Sequence, residues 1–284
     1  MLTNILLAVV LSQNAAALPP AVLARPETAF PITARLMGDA VDPLSSLVTG
    51  DEDLRDSLNS GPTSDALQKG LRDRSEKTRL AAVQAAAFPR NVSAVPPLAA
   101  VLLRLDQPSN LRAAAALALG RIGDRVAVPS LSEALKDPVP EVRFAAALSL
   151  GRLPADGVAT RLEKVLRFDP VWQIRYAAAI ALGRTRKAFA AVPLADALES
   201  DPAWQVRQQA ARSLQDLGTA HAAEALAGAL NDAEPSVRAA AGAGLAEIGG
   251  PEQRRAVAQA LRDETEPSVR AVLAAAERRA RPRS

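Results

Sequence analysis

Residues 137–151 read DPVPEVRFAAALSLG, and the phrase returns as DPVWQIRYAAAIALG at 169–183 and, more loosely, as DPAWQVRQQAARSLQ at 201–215. Its centre is an aliphatic–arginine pair shortly after an aspartate. Working outward, the pair recurs with variants at Thr78-Arg79, Leu111-Arg112, Val142-Arg143, Ile174-Arg175, Val206-Arg207, Val237-Arg238 and Val269-Arg270. Successive arginines are 33, 31, 32, 32, 31 and 32 residues apart. An aspartate precedes each: Asp73, Asp106, Asp137, Asp169, Asp201, Asp232 and Asp263, at an offset of six in the first six copies and seven in the last. Self-similarity at a fixed period over this much of the chain is the signature of stacked structural repeats.

Each unit reads as two helices. The first is short, as from Val192 to Leu198 or Leu226 to Leu230, and stops at an Asp-containing turn, often Asp-Pro. The second opens on Pro or Trp and runs to a glycine, as from Pro140 to Gly151. Proline at the start and glycine at the end are the expected punctuation of a helix. Strand-like alternation is missing. Alanine dominates and aromatics make up only 3% of the chain, which suits helices packed at close range.

The Asp and Arg series, with the Ala-x-x-x-Leu-Gly run at Ala146/Leu150-Gly151 and Ala178/Leu182-Gly183, resembles HEAT repeats of the short kind associated with phycobilisome lyases. The resemblance covers about three-quarters of the chain. It implies an all-α fold, an α-solenoid (right-handed superhelix) of about seven HEAT-type helix pairs. It also implies that the aspartates and arginines form a structural ladder between stacked turns, with the first repeat, which has Thr78 in the aliphatic slot, as a capping unit.

The ends read differently. Ile5 to Leu11 is an apolar run too short to span a bilayer, followed by small-residue cleavage options after Ala17 or Ala24. This fits a secretory signal over residues 1–24 and export to the periplasm or beyond. No Lys or Arg precedes the run, and the alternative is a cytoplasmic chain with an apolar start. Residues 25–64 carry Pro26, Pro31, Pro43, Gly50, Gly61 and Pro62 and the acidic patch Asp51-Glu52-Asp53, and read as a linker or irregular cap with one short helix near Leu54 to Leu58. The repeat region spans 65–281 and a polar tail 282–284.

Composition excludes several chemistries. Without cysteine there is no zinc–thiolate site, thiol nucleophile or disulfide, and one histidine, His221, cannot build a His-based metal cluster. His221 reads as a solvated loop residue. No Gly-rich phosphate loop or G-x-S-x-G elbow is present. The expectation is a non-catalytic chain without metal or cofactor.

The second helix can be laid out at 100° per residue from the aliphatic residue before Arg, taken as position zero. Positions 0, +4, +8 and +11 then face the first helix, while −2, +2 and +6 point outward. Three adjacent repeats fill that outward row with Pro140, Phe144 and Leu148; with Trp172, Tyr176 and Ile180; and with Trp204, Gln208 and Arg212. Four of the eight aromatics of the chain lie in it. Trp, Tyr and Arg are favoured in binding hot spots, and exposed apolar clusters mark interaction sites. Phe144, Leu148, Trp172, Tyr176, Ile180, Trp204, Gln208 and Arg212 are therefore the candidate partner-binding residues, on a surface for a protein or peptide.

Two other functions compete. Similarity to lyase-type HEAT proteins implies an accessory role, handling a tetrapyrrole or another enzyme's substrate. HEAT-type deoxyhypusine hydroxylases hold iron through His-Glu pairs, and His221 is followed by Ala222. HEAT-like DNA glycosylases pair tryptophans with charged groups. Here the formal charge is only +3 and the outward row holds a single cation, Arg212, so a phosphate track is lacking and nucleic acid is disfavoured.

Overall fold

The computed structural model describes residues 64–87 and 91–280. The signal, the linker helix near Leu54 to Leu58 and the tail read from the sequence lie outside them. The described residues form fourteen α-helices and no strand, which makes seven helix pairs. The first three pairs are α1 (Ser64–Leu71) with α2 (Glu76–Ala86), α3 (Val95–Leu103) with α4 (Ser109–Ile122), and α5 (Val128–Ala134) with α6 (Pro140–Leu150). The last four are α7 (Val158–Phe168) with α8 (Trp172–Thr185), α9 (Ala191–Ser200) with α10 (Trp204–Leu217), α11 (Ala220–Gly228) with α12 (Pro235–Ile248), and α13 (Pro251–Asp263) with α14 (Pro267–Ala280). Short 3₁₀ turns precede α3, α5 and α9, and another follows α11. No helix among the described residues is long and apolar enough to cross a membrane.

These residues form two compact units that meet in sequence at Val158 and Ala159. In the first unit α2, α4 and α6 pack in succession, with α1, α3 and α5 against them. In the second, α8, α10, α12 and α14 form the same kind of layer, and α9, α11 and α13 form the other. The helical period explains what each helix buries. Positions 0, +4 and +8 are fully buried in five successive repeats: Leu111, Ala115 and Leu119; Val142, Ala146 and Leu150; Ile174, Ala178 and Leu182; Val206, Ala210 and Leu214; Val237, Ala241 and Leu245. Alanine in the middle of each trio lets the paired helices approach closely.

Gly151 directly follows α6 and ends it, as read from the sequence, whereas the glycines of two other Leu-Gly runs have a different role. Gly120 and Gly183 lie inside α4 and α8, two residues before each helix ends. A Cβ on Gly120 would stand 2.6 Å from Cβ of Ser149 on α6, and one on Gly183 would stand 2.8 Å from Cβ of Ser213 on α10. Both contacts are closer than packed carbons tolerate, so these glycines are set by helix–helix approach. The Ser213 hydroxyl uses that proximity to donate to the Ala179 carbonyl at 2.9 Å. The left-handed helix ends are made elsewhere, by Gly123 (φ 78°) after α4 and Gly218 (φ 61°) after α10.

The turns carry the polar repeat. Arg112 forks onto Asp137 through Nε at 3.0 Å and Nη2 at 2.9 Å, and both side chains are buried. In the second unit Arg175 forks onto Asp201 at 2.7 and 2.9 Å, and Arg207 onto Asp232 at 2.8 and 2.9 Å. The third nitrogen of each arginine holds its own turn: Arg175 Nη1 donates to the Asp169 carbonyl, and Arg207 Nη1 to that of Asp201. Arg143 does likewise to Asp137 and Pro138. The aspartate has a second duty, accepting the amide N–H two residues on, as Asp137 does from Val139, Asp169 from Val171 and Asp201 from Ala203. One guanidinium and one carboxylate thus close a turn and join it to the next.

Two members of the expected series depart from this pattern. At the last turn the acid that Arg238 grips is Glu264, at 2.6 and 2.9 Å, while Asp263 accepts from Gln259. Glu264 stands six residues before Arg270, so geometry preserves the offset that counting aspartates had broken. It accepts the amides of Thr265 and Glu266 as well. At the second repeat, Asp106 pairs with Arg104 on the surface. The residue two after it is Pro108, which has no N–H to offer, so the turn that holds the other aspartates cannot form. Arg79 then keeps only the carbonyls of Asp73 and Arg74, and its Nε is buried without a partner.

Candidate binding surface

The outward row divides between the two units. In the first, Phe144 is buried, at 6% exposure, and Leu148 is half-buried. Phe144 therefore offers little surface to a partner. The helical angle made it outward; burial at such an angle is decided by what lies over the helix.

In the second unit the row begins with Trp172 at the first position of α8. Its ring meets Tyr176, one turn later, edge-on at 6.5 Å and 88°. Burial pushes the Tyr176 hydroxyl above its ordinary pKa, against the opposing positive charge of Arg212 on α10. Trp172, Tyr176 and Arg212 thus belong to one aromatic–cation neighbourhood, and Ile180 is half-buried beyond it. Trp204 occupies the first position of α10, equivalent to Trp172 on the helix it packs against, and keeps 39% of its surface exposed. Gln208 is tied down, its Nε2 donating to the Ser236 carbonyl at 3.3 Å. The row has one open aromatic, one braced aromatic pair, one cation and one amide engaged in the scaffold.

The sequence reading did not single out several apolar side chains that stand in solvent. Phe168, at the end of α7, is 76% exposed, and Phe189, in the 3₁₀ turn before α9, is 56% exposed. Their signal is position, since one is the last residue of a helix and the other lies in the turn before one. His221, expected in a loop, is the second residue of α11 behind the Thr219 cap, and it is exposed. No group of His, Asp and Glu among the described residues is placed to hold a metal ion.

The HEAT-repeat family profile matches residues 95–183 and 191–277, and the chain belongs to that family. No curated protein sequence matches it. Among solved structures, the Escherichia coli protein YIBA shares 18% identity over 82% of this chain and 97% of its own, with a TM-score of 0.54. The complex of CpcE and CpcF of phycocyanin lyase from Nostoc sp. PCC7120 shares 24% identity over 77% of this chain and 94% of its own, at a TM-score of 0.48. Human deoxyhypusine hydroxylase shares 26% identity over 84% and 92%, at a TM-score of 0.40.

Proposed function

We propose that this HEAT-repeat chain is a non-catalytic scaffold that binds a protein or peptide on the second unit, through the outward row that starts at Trp172 and Trp204. The observation that carries this is the exposure of Trp204 beside the braced Trp172–Tyr176 pair. Large aromatic surface left in water is recovered when a partner covers it, and Trp, Tyr and Arg are the residues that most often dominate such interfaces. The recurring acids and arginines of the same unit are consumed by the turn ladder, which leaves them no part in chemistry.

The chain has only two tryptophans, so its intrinsic fluorescence reports on this row alone. Peptides selected from a display library should shift that emission as they bind. Trp204→Ala should weaken binding by tenfold or more, about the 1.4 kcal/mol expected of a hot spot, with an unchanged helical circular dichroism spectrum. Selected peptides that bind without changing the emission, and equally well to the Trp204→Ala variant, would remove the row from the binding surface.

A further inference from the structure

Arg121 lies in the last turn of α4, and Arg152 directly follows the Gly151 that ends α6. Both stand ten residues after the buried aliphatic of their repeat, so they are equivalent positions on two helices of the first unit. Those helices pack at the close Gly120–Ser149 approach, next to Arg121 in sequence. The Arg152 backbone is fixed by its amide bond to the Ser149 carbonyl at 3.0 Å. Leu117 and Leu148, half-buried, come one helical turn before the two arginines. The ladder arginines of each unit are the contrast: Arg112, Arg175, Arg207 and Arg238 each close on a carboxylate. Neither Arg121 nor Arg152 has a carboxylate partner among the described residues, and both keep much of their surface in solvent although Arg152 is partly covered. Partial burial, and then the like charge of Arg121, hold the Arg152 guanidinium below its usual pKa. Two cations brought near each other on a packed helix pair attract an anion.

We infer that Arg121 and Arg152 form a carboxylate-binding subsite on the first unit, taking an acidic peptide whose apolar residues rest on Leu117 and Leu148. Guanidinium forks match carboxylate geometry, and the paired leucines supply the apolar floor that a peptide side chain needs. A nucleic-acid backbone would instead require a long cationic track, and two arginines do not make one. This subsite lies on the other unit from the tryptophan row, so it stands or falls separately from the function proposed above.

The test uses the full chain and a fluorescein-labelled octapeptide of alternating glutamate and leucine, with its glutamine–leucine counterpart as the reference. Anisotropy should give about tenfold tighter binding of the glutamate peptide, a preference that fades as salt is raised. Arg121→Gln with Arg152→Gln should abolish the preference, and Arg121→Glu with Arg152→Glu should transfer it to a lysine–leucine peptide. Trp204→Ala should leave it intact, which separates this site from the tryptophan row. Equal binding of the two reference peptides, or a preference that survives the double glutamine variant, overturns the inference. So does an arginine-dependent affinity for single-stranded DNA that exceeds the peptide's. Tighter probe binding after neutralising Asp51, Glu52 and Asp53 would overturn it too, by making the chain's own acidic patch the occupant.

Discussion

The two units use one repeat and differ in how its turn acids are held. The second unit carries three successive rungs, Arg175–Asp201, Arg207–Asp232 and Arg238–Glu264. In the first, Arg112 grips Asp137, and this pair is the most buried of the four. Another acid of that unit, Asp106, sits in solvent on Arg104 because Pro108 removes the amide that would hold it in the turn. A rung therefore needs a carboxylate and a backbone donor two residues beyond it, and the charge pair follows only where the turn has first been closed.

The largest expected effect breaks this comparison at its strongest point. Asp201→Ala leaves the Arg175 fork and the Ala203 amide unpaired in a buried place and should cost about 3 kcal/mol in urea unfolding. Asp106→Ala, at a fully exposed pair, should leave the unfolding midpoint where it is. A large loss from the second substitution would mean that Asp106 belongs to the ladder after all.

Close packing should be common to both units. Gly120→Ala and Gly183→Ala each force a methyl group onto a serine of the next helix, and each should cost about 1–3 kcal/mol in the same assay. Gly228→Ala, at a helical position where nothing lies within 4 Å, is the control and should be neutral or stabilising by up to about 1 kcal/mol. The serines themselves should separate the units. Ser213→Ala loses the bond to the Ala179 carbonyl and should cost about 1 kcal/mol. Ser149 Oγ is buried without a partner, so Ser149→Ala should be neutral or slightly stabilising.

The smallest effect is one of pH. Hydrogen bonding from Arg238 holds Glu264 down to about 2, against an ordinary value of 4.5, despite some cost of burial. A carboxylate depressed in the folded state contributes stability above its unfolded value, and that contribution drains away as pH falls from 4.5 toward 2. Stability measured across this window should fall less steeply in Glu264→Gln than in the parent chain. An identical slope would detach Glu264 from the ladder.

Much of the fold is legible in the chain because the signals that write it are periodic. The spacing of Ile174, Ala178 and Leu182 follows the helical turn, and burial of that face is the only way for a short helix pair to be stable. The turn chemistry is legible where it rests on local donors, and it misleads where a neighbour intervenes. Asp263 looks like the last acid until the backbone shows Glu264 in the slot, and Asp106 looks like a member until the missing N–H of Pro108 is counted. The outward row was harder to read. Helical angle places Phe144 and Tyr176 on the same face, but exposure depends on which atoms lie above that face.

The sequence by itself determined the repeat, the seven helix pairs and the residues each pair would bury, since these follow from a fixed period and the cost of leaving apolar faces in water. Only the tertiary structure decided which acid each of Arg112, Arg175, Arg207 and Arg238 grips, that Gly120 and Gly183 serve helix contact, that Trp204 stays open while Phe144 is buried, and that Arg121 and Arg152 stand near each other with no carboxylate partner among the described residues. Those outcomes depend on distances between residues some thirty positions apart, and a period records that such residues are equivalent without recording how closely they approach.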